Sequence, residues 1–464
     1  MVFDSQFLFR RILADHVWWK TGRIPFYGNL KKRDYFREFL YQVQQTALHR
    51  AVVLMGPRRV GKTVMMYQAI QELIDSGVNP KQILYFSLDT PIYTNVALEE
   101  LILKSFESSN LSMDGAYIFF DEIQYFKDWE IHLKSLVDSN RNTKFIASGS
   151  AAAALRMKSV ESGAGRFTDF FLPPLTFVEY IDLNAYNYLL EEVDGAGYGL
   201  DKMFKATDIE KLNAHFVDYI NFGGFPEIAL NTQVVKNPEQ IIQKDITDKV
   251  IMKDLPSLFG IENTLELQQF FNVLAYRSGE ILNYQNVSAE TRTDIKTVKK
   301  YITYLESAFL VKLLHRVDVT AKRFKNIMQF KVYLMNPSLF TGLFGKINSD
   351  DERFPHLVET AIFAQFSHGD YSFLRYASWK KNGNEGEVDL IQLTPNFQKA
   401  NRAIEVKWSD SMQVDKLKFF MKKNKMKKGV ITSKTKFLEG EDLLIIPSAV
   451  FAYSIGKEAE QAPI

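Results

Sequence analysis

Three polar residues near the end of the chain have types and spacing that could serve a metal ion. Asp389 lies in the short apolar run EVDLIQL, and Glu405 and Lys407 lie in the next run, RAIEVKW. Alternate residues of a strand face the same side, so Glu405 and Lys407 would share a face while Val406 points into the core. Two acids and a lysine on paired strands can hold a metal ion and activate a water. They could equally be surface charges on a hairpin.

A second polar group follows the apolar run AVVLM. Gly56 is followed by four residues and then by Gly61, Lys62 and Thr63, after which apolar residues recur at helical spacing. This order of strand, glycine loop and helix is the context of a phosphate-binding loop. Lys62 would contact the β- and γ-phosphates and Thr63 would bind magnesium, so ATP and Mg²⁺ are the predicted cofactors. The predicted nucleotide-binding residues are Gly56, Pro57, Arg58, Arg59, Val60, Gly61, Lys62, Thr63, Val64, Ser148 and Ser150.

The predicted acids of this nucleotide site end another apolar run, AYIFFDEIQYF. Asp121 would hold the hydrated magnesium ion together with Thr63, and Glu122 would orient or deprotonate the attacking water. The next run, KFIASGSAAAAL, places Ser148 and Ser150 where either could contact the γ-phosphate from an adjacent strand. Alternatively, Ser150 could cap a helix. The sequence therefore predicts an ATP hydrolase.

Composition limits the classes of protein to consider. A chain of 464 residues exceeds one core and suggests two to four domains. The 57 basic and 55 acidic residues give a net charge of +2, which neither favours nor excludes a nucleic-acid partner. The absence of cysteine excludes disulfides, thiol nucleophiles and cysteine-ligated zinc. Because no apolar run approaches roughly 20 residues and the amphipathic start does not resemble a signal peptide, we expect a cytoplasmic protein without a membrane partner.

Several motifs together resemble a known family. In order, GPRRVGKT, FFDEIQ, ASGSA, ESGAGRFTDFFLPPLTFVEY, NFGGFPE and the closing EVDLI and IEVKW resemble those of bacterial and archaeal ATPases with an AAA-type core followed by the domain of unknown function 4143. The resemblance covers nearly the whole chain. It implies that Arg166 is an arginine finger, a catalytic residue that would act on a neighbouring subunit and so require a homo-oligomer. Arg166 could equally be solvated or paired locally.

The patterns and the resemblance together predict an α/β protein. Its parts are a P-loop AAA-type parallel-sheet core with a helical lid, a winged-helix segment and a C-terminal restriction-endonuclease-like α/β domain. The predicted boundaries are 1–175 for the core with its N-terminal helix, 176–260 for the lid, 261–324 for the winged helix and 325–464 for the nuclease-like domain. The second helix of the winged-helix segment would expose Arg292, Lys296, Lys299 and Lys300. These side chains could contact phosphates or simply be solvated.

In restriction-endonuclease-like folds, acids of this kind bind magnesium and a lysine supports the attacking water. The resemblance therefore implies that Glu359, Asp389 and Glu405 are metal ligands and that Lys407 completes a nuclease site. The lysine-rich segment 416–429 could track a nucleic-acid backbone beside that site or solubilise a helix. The predicted function is a magnesium-dependent ATPase whose turnover drives or gates this domain on nucleic acid. The alternative is an ATP-dependent switch or adaptor whose non-catalytic domain binds DNA or a protein partner.

Overall fold

The chain forms two compact units, Met1–Leu172 and Pro173–Ile464. The computed structural model describes residues 5–461 except 108–110, 150–164, 194–197, 199, 232–233, 325–327, 367–372, 382–383, 395 and 397–398. Among the described residues, no helix is both long enough and apolar enough to cross a membrane. The first unit ends close to the boundary predicted at residue 175. The finer division of the remainder into three domains stays a prediction.

Parallel strands form the centre of the first unit. In its described part, five strands make one sheet in the order β5-β1-β4-β3-β2. Their bounds are β1 Ala51–Met55, β2 Ile83–Ser87, β3 Tyr117–Asp121, β4 Lys144–Gly149 and β5 Phe167–Phe171. The residues of β1 to β4 are almost all buried, which is typical of a parallel sheet covered on both faces. The predicted α/β parallel-sheet core is confirmed.

The helices of the first unit include the predicted amphipathic helix at the start of the chain. That helix buries Leu8 and Ile12 in one apolar cluster with residues of the sheet and of three later helices. Its apolar spacing explains this, because residues four apart lie on one face of a helix. The helix bounds are Ser5–Asp15, Trp18–Thr21, Phe36–Gln44, Lys62–Asp75, Pro91–Thr94, Leu98–Glu107 and Trp129–Ser139.

His16 connects the N-terminal helix to β2. Its Nδ1 lies 2.7 Å from the carbonyl oxygen of Ile12, and the backbone N–H of Tyr85 donates to its Nε2 at 2.8 Å. Nε2 must therefore be the acceptor nitrogen of a neutral ring whose proton is on Nδ1. The imidazole also contacts the rings of Trp18 and Trp19. Burial among these groups lowers the pKa of His16 to about 4.

The second unit contains a larger, mixed sheet. Within its described residues, nine strands follow the order β15-β16-β14-β13-β12-β11-β9-β10-β8, and β6 and β7 form a separate antiparallel pair. The strand bounds are β6 Leu190–Val193, β7 Met203–Ala206, β8 Ile281–Asn283, β9 Val311–Val317, β10 Gln329–Leu334, β11 Leu374–Lys381, β12 Asn384–Leu393, β13 Ala400–Glu405, β14 Gly429–Ser433, β15 Leu438–Glu439 and β16 Leu443–Pro447. The predicted α/β character of this region is confirmed.

The segment from 177 to 260 differs in one respect from the sequence pattern. Helical residues were predicted throughout, but the strands β6 and β7 interrupt them. The bend at the NFGGFPE motif is present: Pro226 begins a short helix, and a Cβ on Gly224 would lie 2.3 Å from the Asn336 side chain. The helix bounds in this unit are Phe177–Leu183, Ile209–Phe222, Pro226–Ala229, Pro238–Ile241, Leu255–Phe259, Thr264–Tyr276, Tyr284–Thr291, Ile295–Ser307, Ser338–Phe344, Phe354–Gln365, Asp415–Asn424 and Ser448–Gln461, with π-helical turns at Ile242–Asp248 and Val250–Asp254.

The two helices predicted after residue 281 are present, but Arg292 follows the end of the first, Tyr284–Thr291, and does not lie on the second. Asp294 caps the second, Ile295–Ser307, whose Val298, Ile302 and Leu305 are buried. The strands that follow, β9 and β10, belong to the large sheet, since β9 pairs in parallel with β11. The sheet thus continues across residue 324, where the sequence predicts a domain boundary.

The buried imidazole gives the first unit a pH-dependent stability. A histidine with a pKa of 6.5 in the unfolded chain and about 4 in the folded chain contributes stability that is complete above pH 6.5. That contribution is lost as the pH falls from 6.5 towards 4, and it amounts to about 3 kcal/mol. Urea unfolding followed by hydrogen exchange of peptides from β2 and β3 measures it.

The variant His16→Gln should be less stable at pH 7 and should lose less further stability between pH 6.5 and 4. His49→Gln, which changes an exposed histidine, is the control and should keep the wild-type pH profile. Equal pH dependence of wild type and His16→Gln would contradict this assignment.

Candidate functional site

The loop between β1 and the helix Lys62–Asp75 has the shape that the glycine motif requires. A Cβ on Gly56 would lie 2.1 Å from the backbone oxygen of Leu172, so the close approach of these two backbone segments excludes a side chain there. Gly61 has φ 97°, in the region that favours glycine, and directly precedes the helix. The Lys62 ammonium is buried and donates to the carbonyl oxygens of Gly56 (3.0 Å) and Pro57 (2.7 Å). The lysine therefore lies inside the loop.

The carboxylate of Asp121 lies beside this loop, at the end of β3. It accepts hydrogen bonds from the hydroxyls of Thr63 (2.7 Å), Tyr85 (2.7 Å) and Ser148. Tyr85 is on β2 and Ser148 on β4, the two neighbours of β3 in the sheet. Parallel strands bring their carboxyl ends to one edge, which explains why these groups meet. The oxygen atoms of Asp121 and Thr63 are hard ligands of the type that Mg²⁺ prefers.

Glu122 has an unusual backbone conformation, with φ 54° in the left-handed region. Its N–H donates to the Ser148 hydroxyl at 3.1 Å, and its side chain accepts a hydrogen bond from Gln124. A non-glycine residue held in this conformation by its surroundings often marks a functional position. The neighbouring Tyr125 hydroxyl accepts from Arg58 at 2.8 Å, which connects the glycine loop to the segment after β3.

Arg166 directly precedes β5, at the amino-terminal end of the parallel strands, whereas the glycine loop lies at their carboxyl-terminal end. Its carbonyl oxygen accepts from the N–H of Ala51, and β5 then runs parallel to β1 with Phe171 opposite Met55. Five strand residues span about 17 Å, so the Arg166 backbone lies roughly that far from Gly56. The exposed Arg166 side chain forms an ion pair with Asp138. Its action as a finger on another subunit stays a prediction.

Two further residues of this region were missed by the sequence analysis. Tyr85 donates to Asp121, and burial beside that carboxylate raises the Tyr85 pKa well above its usual value. Arg33 is buried and donates to the carbonyl oxygen of Val60 in the loop at 3.0 Å. A tyrosine in the apolar run ILYFSL was the only available signal for Tyr85. Ser150, predicted to contact the γ-phosphate, lies outside the described residues.

The second unit contains a buried cluster of opposite charges centred on Lys331 of β10. Its ammonium lies 2.8 Å from Glu359 Oε1, 2.6 Å from Glu387 Oε1 and 3.2 Å from Asp389 Oδ1. The Tyr333 hydroxyl also donates to Glu359 Oε1, at 2.5 Å. The Lys331 side chain is only 2% exposed. We call Lys331, Glu359, Glu387, Asp389, Glu405 and Lys407 the charge cluster.

The remaining two members lie at and just beyond the end of β13. Lys407 Nζ is 2.8 Å from Glu405 Oε1, and the N–H of Val406 donates to Asp389 Oδ2 at 2.8 Å. The other carboxylate oxygen of Glu405, Oε2, is buried and has no hydrogen-bond partner among the described residues. The structure therefore brings together all four residues that the sequence analysis placed in one site.

The pKa values in the charge cluster reflect burial and mutual charge. Burial and the charge of Asp389 raise the pKa of Glu405 to about 8, and burial raises that of Glu359 to about 7. Burial would also raise the pKa of Asp389, but the ammonium groups of Lys331 and Lys407 outweigh it and lower that pKa. Neutral pH is thus close to the pKa values of Glu359 and Glu405, at which these side chains gain or lose a proton.

A cavity of about 560 Å³ opens onto the charge cluster. It is lined by the members of the cluster other than Glu405, together with Val406 and residues at 279–281, 355–356 and 408–409. No set of three or more His, Asp or Glu side chains in the described part of the chain is arranged to hold a metal ion. The cation that the structure does place among Glu359 and Asp389 is Lys331. The metal-ligand roles of Glu359, Asp389 and Glu405 stay a prediction. Lys331 itself was missed, although a lysine inside the apolar run QFKVYL is an unusual feature.

Comparisons with known proteins agree with the geometry of the first unit. Residues 48–181 match the model of the AAA domain family, and residues 213–350 match a domain of unknown function, number 8612. Each match covers about three tenths of the chain. The likeness to domain of unknown function 4143 and to restriction-endonuclease-like folds stays a prediction.

Relatives and solved structures add the following. An uncharacterised protein of Haemophilus influenzae is 25% identical over 349 residues, 73% of this chain and 79% of that protein. An uncharacterised protein of Methanocaldococcus jannaschii is 25% identical over 448 residues, 91% of this chain and 89% of that protein. The Aeropyrum pernix ORC1 protein in complex with DNA is similar at 12% identity, TM-score 0.31, over 69% of this chain and 94% of that chain. A TM-score this low supports no conclusion about function.

The first unit thus has the strand order and glycine loop of a P-loop ATPase core, and residues 48–181 match the AAA domain family model. These features support an activity that depends on a nucleotide.

Lys331 should be essential to the stability of the second unit. Replacing it by methionine leaves buried carboxylates facing one another, which should lower the free energy of unfolding by about 3–5 kcal/mol at pH 8. Because protonation relieves the repulsion, the deficit should shrink as the pH falls to 6. Urea unfolding followed by hydrogen exchange of β10 and β12 peptides measures both effects.

Lys380→Met is the matched control, since Lys380 pairs with Glu385 at the exposed surface. It should change stability by less than about 1 kcal/mol. A Lys331→Met protein as stable as this control would show that the charge cluster does not depend on the lysine.

Proposed function

We propose that the first unit binds and hydrolyses Mg-ATP at the loop 56–63. The observation that carries this proposal is the 2.7 Å hydrogen bond between Thr63 and Asp121. It brings a hydroxyl from the start of the loop helix and a carboxylate from the adjacent sheet edge to one point beside the glycine loop. That is the ligand set of a P-loop magnesium site.

Each residue of the loop region would have a distinct task. Backbone N–H groups at the start of the helix Lys62–Asp75 and the Lys62 ammonium would bind phosphate oxygens. Thr63 and Asp121 would hold Mg²⁺, which supplies charge neutralisation when it is bound. Glu122 would orient the attacking water and accept its proton. Tyr85 and Ser148, which both donate to Asp121, would keep its oxygens in place.

Two variants separate binding from turnover. Lys62→Ala should abolish ATP binding, measured by calorimetry. Glu122→Gln should retain ATP binding, while phosphate release falls about 100-fold or more because the base is lost. Lys81→Ala and Glu107→Gln change exposed residues of the same unit and serve as controls. Phosphate release that persists at the wild-type rate in Lys62→Ala would refute the assignment.

We further propose that the second unit acts on nucleic acid at the charge cluster. In support, Glu359, Asp389 and Lys407 line one cavity that Glu405 adjoins, and Glu405 presents a buried carboxylate oxygen without a hydrogen-bond partner among the described residues. Burying a polar atom without a hydrogen bond is costly, so a ligand at Glu405 Oε2 would remove that cost. Glu405 could hold a metal ion, which would supply charge neutralisation for a phosphate, and Lys331 would compete with it for Glu359 and Asp389.

The elements preceding the charge cluster support the same partner. The helix Thr264–Tyr276, β8, two further helices and the β9–β10 pair follow the order of a winged-helix domain, which we infer here. Lys296, Lys299 and Lys300 are exposed on the second of the two helices. Lys299 lies over the Tyr284 ring at 5.0 Å, which restricts its side chain. Such a helix face is suited to phosphate contacts.

Incubation of the protein with single- and double-stranded DNA and Mn²⁺, with and without ATP, tests this second proposal. Cleavage should fall about 100-fold or more in Asp389→Asn and in Glu405→Gln. It should persist in Glu385→Gln, a surface control on the same strand. The absence of cleavage by wild type would reject the nuclease. Unimpaired cleavage by both cluster variants would place the activity elsewhere.

The relation between the two activities separates the gated nuclease from the switch or adaptor. If ATP turnover gates cleavage, Glu122→Gln should also block cleavage while ATP remains bound. If ATP binding alone switches the protein, Glu122→Gln should hold it in the active state.

A further inference from the structure

A second concave surface in the second unit has the chemistry of a phosphate site. Its cavity of about 410 Å³ is lined by Tyr198, Ala400, Asn401, Asn424, Met426 and four lysines, Lys399, Lys425, Lys427 and Lys428. These residues come from three segments that are distant in the sequence. We call this surface the lysine pocket. Neither Asp nor Glu is among the described residues that line it.

The lysine ammonium groups of the pocket lie apart from the carboxylates of the described residues. None of the four forms an ion pair with a carboxylate of the described residues. Glu439 and Asp442 both lie close enough to Tyr198 to act on it electrostatically, and Asp442 is paired with Lys418 at 3.0 Å. Four unpaired positive charges around a concavity produce a positive local potential, although the whole chain has a net charge of only +2.

Part of this arrangement is fixed by packing. Lys428 Nζ lies 4.1 Å from the centre of the Tyr198 ring, and the Tyr198 hydroxyl donates to the carbonyl oxygen of Gly440. A cation held over an aromatic face loses much of its freedom. Lys425 has φ 55° at the end of the helix Asp415–Asn424, where the chain reverses towards β14. A lysine at a helix C-terminus also interacts favourably with the helix dipole, but this does not account for Lys399, which precedes β13.

The lysine pocket and the charge cluster have no residue in common. Ala400 of the pocket begins β13 and Glu405 of the charge cluster ends it. These two residues are separated along the strand by about 17 Å. The pocket is therefore distinct from the charge cluster.

We propose that the lysine pocket binds a phosphate-bearing ligand. Phosphate oxygens accept hydrogen bonds from several ammonium groups at once, and the pocket is large enough for two adjacent phosphates. The phosphates could belong to a single-stranded nucleic-acid backbone or to a small pyrophosphate compound. The proposal does not depend on ATP hydrolysis in the first unit or on cleavage at the charge cluster.

The test uses the full chain carrying Lys62→Ala, so that the glycine loop does not bind the probes. A fluorescent oligothymidylate, followed by anisotropy over roughly 50 to 200 mM salt, reports on a backbone; inorganic pyrophosphate, followed by calorimetry, reports on a small ligand. The triple variant Lys425→Ala, Lys427→Ala, Lys428→Ala should weaken binding of at least one probe about tenfold. For the oligonucleotide, the slope of log K against log salt should fall by about 2.

The matched control is Lys416→Ala, Lys422→Ala, Lys423→Ala, which removes the same charge from exposed positions of the adjacent helix outside the pocket. It should change affinity less than twofold. Loss of oligonucleotide binding alone identifies a strand, and loss of pyrophosphate binding alone identifies a small ligand. Equal losses in both triple variants, or no binding of either probe, would overturn the proposal.

Discussion

A charge that leaves water must be paired or hydrogen-bonded, and this constraint organises both units. In the first unit the buried carboxylate of Asp121 accepts from Thr63, Tyr85 and Ser148, so the loop helix, β2 and β4 are all fixed around it. In the second unit the Lys331 ammonium takes the corresponding central place among carboxylates. Each candidate site is thus also a structural centre, and a variant there must be tested for folding as well as for activity.

The two centres differ in how their charges are balanced. Around Asp121 the partners are neutral hydroxyls, so its negative charge remains available to a cation. Around Lys331 the partners are themselves charged, and the pKa values of Glu359 and Glu405 rise to about 7 and about 8. At Asp121, removal of one hydroxyl partner removes only one of three hydrogen bonds. At Lys331, removal of the lysine leaves buried carboxylates of like charge facing one another. The first arrangement suits repeated exchange of a nucleotide, and the second suits a site whose ligand must compete with a resident lysine.

Positive charge in the second unit is distributed over separate surfaces. Lys331 and Lys407 are engaged by acids, Lys299 lies over Tyr284, and the lysine pocket lies at the far end of β13. A nearly neutral chain can in this way contain strongly positive regions, because the local electrostatic potential depends on the spacing of nearby charged side chains rather than on the net charge of the chain. Among the described residues, no Asp or Glu lines the lysine pocket, so its lysines are suited to an anion.

The sequence by itself predicted the glycine loop and the parallel core, and it placed Asp121 and Glu122 in one predicted site. These predictions follow from local rules: a strand, a glycine turn and a helix have fixed spacing, and parallel strands end at a common edge. The AAA type of the core was implied by the family resemblance. The sequence also assigned Asp389, Glu405 and Lys407 to one predicted site, because the alternation of side chains along a strand is a local pattern. Only the tertiary structure decided that Lys331 contacts Asp389 and that Tyr85 contacts Asp121. It also decided that β6 and β7 interrupt the helical segment, and that residues of the lysine-rich segment line one cavity with Tyr198 and Ala400. These are contacts between residues distant in sequence, and they depend on strand order and register in the sheet, which no local pattern of side chains records.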